Sequence, residues 1–377
     1  MQTELVETVR RFVQREVVPV ASELDKKNEY PYQLIERMKE LGLFGAKIPV
    51  EYGGLGLDTT TYAMLIEEIA AGWMSLVGPL NTHLLFAYMI NAHGTQEQRD
   101  RYLPRMATGE LRGVFCLTES NAGSDVQAIR TTAQRRGDNY IVNGSKMFIT
   151  NGREGSLYAV VCKTDPSADP PHKGMSVLIG EKGPGLMIGR DLDKIGYKSI
   201  ETVELAFEDY QVPAENLLGG VEGKGMQQIM GGLEIGRINI GSRAVGVARA
   251  AFEQAIRYAQ ERHAFGKPIC EHQAIQLKLA DMATQIEAAR LLVRQAAYRK
   301  DTGQRCDLEA GMAKLFASEV CAHVTLEAMR VLGGYGYTKD FPVERYYRDA
   351  PLMIIGEGTN EIQRLVIARQ LVKRYAI

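Results

Sequence analysis

The chain has few of the residues that mark several common classes of protein. Only five cysteines occur in 377 residues, and no two have C-x-x-C spacing, so we expect reduced thiols in a reducing compartment rather than a disulfide framework. The six histidines show neither H-x-x-x-H nor H-E-x-x-H spacing, so we expect no metal site. The formal net charge is −1, which gives no general attraction to nucleic acid or to a membrane surface.

Long apolar runs and hydrolase motifs are also missing. No apolar run in the sequence reaches the roughly 20 residues that a membrane helix needs, and the charged stretch Met1–Glu7 is not typical of a signal peptide. No G-x-S-x-G nucleophile elbow is present, which argues against acyl hydrolysis by a serine. With 45% hydrophobic and 24% charged residues, the composition is typical of a globular protein with two or three packed units.

The hydrophobic pattern changes twice along the chain. Apolar residues recur at helical spacing up to about residue 112. Between Gly113 and Pro213, short runs of β-branched residues alternate with glycine, asparagine and proline, which indicates a mostly antiparallel sheet. Long helical patterns return after Gly225. We therefore expect an N-terminal helical domain (1–112), a middle β domain (113–224) and a C-terminal helical bundle (225–377).

Two apolar stripes in the C-terminal part are predicted to face neighbouring helices, as in a bundle seam. The first steps by four and three residues through Ile275, Leu279, Met282, Ile286, Ala289, Val293 and Ala296. The second, interrupted by Glu319, consists of Met312, Leu315, Ala322, Leu326 and Met329.

One carboxylate stands out as a candidate base. Glu357 lies between Gly356 and Gly358, after an apolar run and before a polar, helix-like stretch. Glycines allow the backbone to approach a ligand closely, and a carboxylate near apolar walls can accept a proton with a raised pKa. A loop that carries a solvated glutamate has the same pattern.

Two further segments combine hydroxyl, glycine and aromatic residues. Phe115–Asp125 carries Thr118 and Ser124 beside glycine, and Asn143–Gly152 carries Phe148 and Thr150 two residues apart, on one face of a strand. An aromatic ring beside a hydroxyl suits a flat heteroaromatic ligand. The ring can stack on the ligand, and the hydroxyl can form a hydrogen bond at its edge. A core phenylalanine and a cross-strand threonine are the alternative.

Three more motifs have both a ligand-binding and an ordinary interpretation. Arg262 beside a glycine-containing turn that opens a helix suits a phosphate, or is part of a basic loop. The glycine-rich run Arg330–Gly336 is not a G-x-G-x-x-G fingerprint after a strand, so we predict no Rossmann site. Glu234 and Arg237 share a face at the start of the first long C-terminal helix, where they form either a ligand channel or a solvated ion pair.

The segments Phe115–Asp125, Asn143–Gly152 and Asp349–Arg364, in this order and spacing, resemble the acyl-CoA dehydrogenase family over nearly the whole chain. The resemblance implies a mostly α fold with a central β domain: an N-terminal helical domain, a β-barrel-like antiparallel sheet and a C-terminal four-helix bundle. It also implies FAD as the cofactor and Glu357 as the catalytic base. One branch of the family carries the base at the position of Gly236, and glycine there leaves Glu357 as the sole candidate.

The resemblance assigns a set of cofactor contacts. Residues matching positions at the flavin ring are Phe115, Leu117, Thr118, Gly123, Ser124, Phe148 (where tryptophan is common) and Thr150. Residues matching positions at the pyrophosphate end of a neighbouring subunit's FAD are Arg262, Phe265, Gln273, Arg330, Gly333 and Gly334, while Thr359 and Glu361 match contacts within the same chain. Glutamine is common at the position of Arg330, whose charge either strengthens a phosphate contact or pairs with a carboxylate.

Substrate contacts follow from the same resemblance. The matching positions are Ser124, Glu234, Arg237, Gly356 and Gly358. Gly356 stands where many members have tyrosine in the acyl pocket, which favours a short, branched, cyclic or otherwise bulky acyl group, unless Met353 or Trp73 refills the space. No arginine is evident where relatives specific for dicarboxyl groups bind a second carboxylate.

The expected reaction is therefore the FAD-dependent α,β-dehydrogenation of an acyl-CoA to the trans-2-enoyl-CoA. Electron-transfer flavoprotein is the expected electron acceptor, and a homotetramer, a dimer of dimers, is the expected assembly. We expect a cytoplasmic protein in a bacterium or a mitochondrial-matrix protein in a eukaryote. The alternatives are an oxidase that uses O₂, a flavin-bearing protein of the same fold associated with nucleic acid, and a purely structural helical bundle.

Overall fold

Helices form the N-terminal part of the computed structural model, which describes residues 2–376. The helices are α1 (Gln2–Phe12), α2 (Val18–Lys27), α3 (Tyr32–Glu40), α4 (Thr59–Trp73), α5 (Val77–His93) and α6 (Gln96–Ala107). Between α1 and α2 the chain forms a π-helical turn that buries Val13 and Val17. The helical spacing of the apolar residues therefore predicts this region correctly.

The stretch Thr59–His93, which contains α4 and α5, is long and apolar enough to cross a membrane by length and composition alone. Of its most apolar window, 83% is buried inside the protein. Protein side chains therefore cover this stretch, and α4 packs against α1 and against a long C-terminal helix described below.

A sheet of seven strands follows. Its strands are β1 (Gly113–Cys116), β2 (Thr132–Arg136), β3 (Asn139–Thr150), β4 (Leu157–Lys163), β5 (Met175–Glu181), β6 (Leu186–Asp191) and β7 (Thr202–Pro213). They lie in the order β1-β4-β2-β3-β7-β6, and β5 pairs with β4. Most pairs are antiparallel, as predicted, but β1 and β2 each run parallel to β4. One face of β4 packs against side chains of the other strands, and the opposite face packs against α5 and α6. Both faces are therefore buried.

Long helices form the C-terminal part: α7 (Gly225–Glu261), α8 (Gln273–Asp301), α9 (Asp307–Leu332), α10 (Val343–Ile355) and α11 (Asn360–Arg374). A short hairpin, β8 (His263–Ala264) with β9 (Lys267–Pro268), links α7 to α8. Helix α9 contacts α7, α8, α10 and α11, and α7 also packs on α4. At that crossing a Cβ on Gly246 would lie 2.3 Å from the Glu67 carbonyl oxygen, so only glycine permits the approach.

One of the two predicted stripes is correct. From Met282 to Ala296 the first stripe is buried along α8. The second is wrong: α9 buries instead a face of small residues, including Ala313, Ala317 and Cys321, and leaves Leu326 42% exposed. Small residues allow α9 to approach α7 closely, which outweighs the larger apolar area of the methionine and leucine stripe.

Candidate active site

Glu357 lies at the tip of the sharp turn between α10 and α11. Its φ is +57° and that of Gly358 is +82°, a left-handed conformation that a residue with a Cβ adopts only at a cost. Two buried side chains hold the turn in this conformation. Lys314 Nζ donates to the carbonyls of Ile354 (3.0 Å) and Gly358 (2.9 Å), and Gln363 Nε2 donates to those of Glu357 and Gly358.

The carboxylate of Glu357 is fixed by two helices that are distant in sequence. Asn81 Nδ2 on α5 donates to Oε1 at 2.8 Å. Oε2 lies over Gly236 on α7, where a Cβ would come within 2.5 Å of it. A side chain at position 236 would therefore overlap the carboxylate of Glu357, and glycine at 236 leaves room for that carboxylate.

Lys314 is a buried cation behind this turn. Its third hydrogen bond goes to Asn360 Oδ1 at 2.8 Å, so its three protons serve three acceptors. Burial lowers the pKa of Lys314 from 10.5 to about 8, and the nearby Glu357 carboxylate opposes that shift. Sequence reasoning missed Lys314 and Asn81 because their roles depend on a turn elsewhere in the chain.

The predicted flavin-ring residues lie on neighbouring backbone segments. Buried Lys146 donates to the Leu117 carbonyl (3.0 Å) and to Glu119 (2.7 Å), which ties the segment after β1 to β3. The Met147 N–H also donates to the Thr118 carbonyl. The Phe148 ring is 63% exposed, which excludes a core phenylalanine and leaves an aromatic face free for stacking. Phe115 and Thr150 are half-buried, and Gly123 and Ser124 are exposed.

The predicted pyrophosphate residues gather at another place on the protomer. Arg262, Phe265, Gly333 and Gly334 line an open groove of about 750 Å³ between the β8–β9 hairpin and the end of α9, and Gln273 begins α8 beside it. Phe265, at the hairpin tip, is 97% exposed. A cationic side chain, glycine backbone and an unburied ring suit a dinucleotide.

Arg330 pairs with a carboxylate, the second of the two roles considered for it. Its guanidinium pairs with the Glu327 carboxylate, three residues earlier on α9. Thr359 caps α11 by accepting from the Ile362 N–H, and Glu361 is exposed in the first turn of that helix.

The motif with Glu234 and Arg237 does not open its helix, because α7 already begins at Gly225. The two side chains also form no ion pair with each other. Glu234 pairs with Lys300 at 2.6 Å instead, and burial, followed by a hydrogen bond with Asp307, raises the pKa of Glu234. Arg237 is 5% exposed and its Nε has no partner in the described chain, so its guanidinium has free hydrogen-bonding capacity beside the Glu357 turn.

A polar row on α7 was also missed. Asn239 Nδ2 donates to the Tyr62 hydroxyl at 2.6 Å, and Arg243 Nε donates to Asn239 Oδ1 at 2.7 Å. Burial raises the pKa of Tyr62 to about 12. The signal in the sequence is the spacing of Gly236, Asn239 and Arg243, which places two polar side chains and the glycine beneath Glu357 on one helix face.

The chain thus combines an N-terminal helical part, a sheet with an exposed aromatic ring, and a C-terminal helical part that carries a carboxylate at a sharp turn. The N-terminal, middle and C-terminal domains of acyl-CoA dehydrogenase match residues 1–110, 114–210 and 223–372. The chain therefore belongs to the acyl-CoA dehydrogenase family, flavin-dependent oxidoreductases, as its motifs indicate.

Similar proteins support this assignment. An acyl-CoA dehydrogenase from Bacillus subtilis is 43% identical to this chain, and the alignment covers 98% of this chain and 97% of the relative. An NADH-linked acryloyl-CoA reductase from Anaerotignum propionicum is 44% identical to this chain, and the alignment covers 99% of this chain and 95% of the relative. A solved structure described as the electron transferring flavoprotein of Acidaminococcus fermentans matches with a TM-score of 0.96 and 43% identity, covering 99% of this chain and 98% of that one. The predicted fold class is confirmed.

Proposed function

We propose that the chain dehydrogenates an acyl-CoA between its α and β carbons, with Glu357 as the base that takes the α-proton. The observation that carries the proposal is the carboxylate itself. One oxygen is held by Asn81 and the other lies over Gly236, so its position is set before a substrate binds. Removal of the α-proton leaves negative charge on the thioester oxygen. The Glu357 backbone N–H has no hydrogen-bond partner within residues 2–376 and is the donor we assign to that oxygen.

The chain's residues fit a flavin at the sheet. The exposed Phe148 ring, the half-buried Thr150 and the fixed Thr118 segment offer a stacking face and edge contacts. A bound FAD supplies the acceptor for the β-hydride. The groove at Arg262 and Phe265 would hold the pyrophosphate end of a FAD belonging to another protomer.

The space around Gly356 supports a bulky acyl group. A Cβ at this position would make a tight contact of 3.2 Å with the Leu352 carbonyl oxygen, and no atom of Met353 or Trp73 lies within 4 Å of that point. Gly356 has a φ of −70°, so side chains are allowed there. We propose short, branched, cyclic or otherwise bulky acyl-CoA thioesters as substrates.

Exposed apolar residues support the proposed homotetramer. Leu277, Leu291 and Tyr298 on α8 are each 60% exposed or more, at separations that are multiples of seven residues and so lie along one stripe. The half-exposed stripe on α9 that includes Leu326 adds to this apolar surface. We propose electron-transfer flavoprotein as the electron acceptor, because a structure described by that name contains a chain of this fold.

The test is to add acyl-CoA thioesters anaerobically to the flavin-loaded protein and to record bleaching of the flavin absorbance. Isobutyryl-, isovaleryl-, cyclohexanecarbonyl-, butyryl- and octanoyl-CoA compare branched, cyclic and straight chains. Bleaching by at least one thioester supports the proposal, and no bleaching by any thioester contradicts it. Consumption of O₂ during turnover in air would identify the oxidase instead. A salt-sensitive shift of DNA would favour the nucleic-acid alternative.

A further inference from the structure

The loop between β6 and β7 (residues 192–201) packs against α10, the helix that leads into the turn of the candidate base. Asp349 Oδ1 on α10 accepts from the Tyr197 N–H at 2.6 Å. A Cβ on Gly196 would lie 2.2 Å from the Arg348 carbonyl oxygen, so only glycine permits the loop to approach α10 this closely. The backbone of the loop is therefore fixed to α10.

Tyr197 itself is held in an unfavourable conformation. Its φ is +55°, in the left-handed region that bulky side chains seldom adopt, and its side chain is almost completely buried. The hydroxyl lies against α5, where a Cβ on Gly78 would come within 1.8 Å of the hydroxyl oxygen. Ser199 also has a positive φ, +70°, and its N–H donates to Asn28 Oδ1 at 2.8 Å. Such conformations persist where surrounding contacts fix them, and they are concentrated at functional sites.

The Tyr197 hydroxyl interacts with polar groups of two other parts of the protein. One is the Thr150 side chain at the end of β3, two residues after the exposed Phe148 ring. The other is the Arg243 guanidinium on α7, which lies 6.0 Å from the centre of the tyrosine ring. Tyr197 thus joins α10, which leads to Glu357, with the end of the strand that carries Phe148 and Thr150.

The donors and acceptors in this row give it a direction. A guanidinium can only donate, so the Tyr197 oxygen accepts from Arg243 and the Tyr197 proton is available for Thr150. When Thr150 Oγ1 accepts that proton, the Thr150 proton is left to point at a ligand. Each hydrogen bond in such a row also polarises the next one. Thr150 is therefore set to present a donor.

We propose that Tyr197 is a positioning residue, whose hydroxyl orients the Thr150 hydroxyl as a donor to the flavin edge and whose backbone is held for this task by Asp349. This inference rests on the proposed function, in which Thr150 offers an edge contact to the flavin. Asp349 lies eight residues before Glu357. The helix that presents the base therefore also fixes, through Tyr197, the hydroxyl that contacts the flavin, so the two groups keep one relative position.

The test is Tyr197→Phe, which keeps the ring and removes the hydroxyl. The absorbance bands of the bound flavin should shift in the resting protein, because the hydrogen bond at the flavin edge is no longer oriented. With a thioester substrate, kcat should fall by about 5-fold and KM should stay unchanged, the effect of one neutral hydrogen bond that the substrate does not make. Tyr102→Phe is the matched control, because Tyr102 on α6 is fully buried and its hydroxyl donates to Asn216 Oδ1 at 2.9 Å. The control should leave the flavin bands and kcat unchanged, and native bands and kcat in Tyr197→Phe would overturn the inference.

A double variant shows whether Tyr197 acts through Thr150. Tyr197→Phe combined with Thr150→Val should have the same flavin bands and kcat as Thr150→Val alone, because the hydroxyl that Tyr197 orients is already gone. Losses that multiply would overturn the inference.

The role of Asp349 is tested in the same way. Asp349→Leu, which removes the acceptor for the Tyr197 N–H, should reproduce the band shift of Tyr197→Phe, and Asp349→Asn, which keeps an acceptor, should restore the native bands. Native bands in Asp349→Leu would contradict the anchoring role, and Tyr197→Phe decides the inference where Asp349→Leu does not fold. The spectra need no substrate, so failure of every thioester to bleach the flavin would count against the proposed function and not against the spectral result.

Discussion

The two regions of this protomer that face ligands are built in different ways. At the Glu357 turn, three buried side chains, Lys314, Gln363 and Asn81, fix the backbone and the carboxylate. At the β8–β9 hairpin, Phe265 is 97% exposed and its nearest ring contact is with His272 on the same loop. The first region is complete within one chain, and the second offers groups with few contacts.

The difference follows from what each region has to do. A proton acceptor must be placed to within a fraction of an ångström, since misplacement by about 1 Å costs on the order of 100-fold in rate. A region that binds phosphate or an adenine-sized group across an interface needs exposed groups instead, which become ordered on assembly. The variants described below test this division, beginning with the largest expected effect.

Glu357→Gln should cause the largest loss. The amide preserves the shape of the carboxylate but cannot accept the α-proton, so turnover should fall by about 10²–10⁴-fold, the usual contribution of a general base. Flavin absorbance and acyl-CoA binding should be retained. Stopped-flow reduction of the flavin measures the effect, and near-native turnover would remove Glu357 from the catalytic role.

Gly236→Ala should reduce turnover by on the order of 100-fold without loss of stability. The new methyl group would lie 2.5 Å from Glu357 Oε2 and displace the carboxylate, while alanine favours the helix by about 1 kcal/mol over glycine. Gly311→Ala is the control, because its Cβ on α9 would meet Ile367 at an ordinary 3.4 Å. Equal activity of the two variants would show that the carboxylate does not need this space.

Arg262→Ala should weaken both flavin retention and assembly. The protein concentration below which each is lost should rise by about 10-fold, the effect of one charged contact. Flavin-to-protein ratio and mass by light scattering, recorded over a dilution series, measure both. Arg135→Ala removes an exposed arginine from β2 as a control. A native monomer that holds FAD stoichiometrically would contradict the proposed sharing.

Lys314→Met should lower kcat by about 10-fold with little change in KM, because it removes buried hydrogen bonds that hold the turn rather than the substrate. In the native protein kcat should also fall as the pH rises through about 8, the pKa of Lys314. The neutral amine has two N–H groups for three acceptors. Lys314→Arg, which stays charged, should lack this decline, and a decline that persists in it would assign the titration to another group.

The rise in pH that lowers kcat through Lys314 should have the opposite effect on stability. Between pH 8 and 10.5, the folded and ordinary pKa values of Lys314, the unfolded chain binds more protons than the folded one. The contribution of Lys314 to the free energy of unfolding therefore rises with pH in this window. Chemical denaturation at several pH values checks the sign, and activity that falls while stability rises would separate the two effects.

Local patterns predicted the parts of the fold that depend on local sequence. The strands, the α8 stripe and the turn around Glu357 follow from neighbouring residues. The α9 stripe was mispredicted because tight packing against α7 selects small side chains there. Asn81 could not be linked to Glu357, since the two are 276 positions apart. The hydrogen bond from Asn239 to Tyr62 likewise joins residues 177 positions apart.

The proposal that the Glu357 turn and the Phe265 hairpin of one protomer serve different flavins has a genetic consequence. Where the proposed sharing holds, a chain with Glu357→Gln lacks its own base yet still serves its neighbour through Arg262 and Phe265. A chain with Arg262→Ala fails its neighbour yet keeps its own base. At a dilution where the Arg262→Ala protein alone has lost its flavin, the two variants expressed together should recover activity in mixed assemblies, whereas neither variant does so alone.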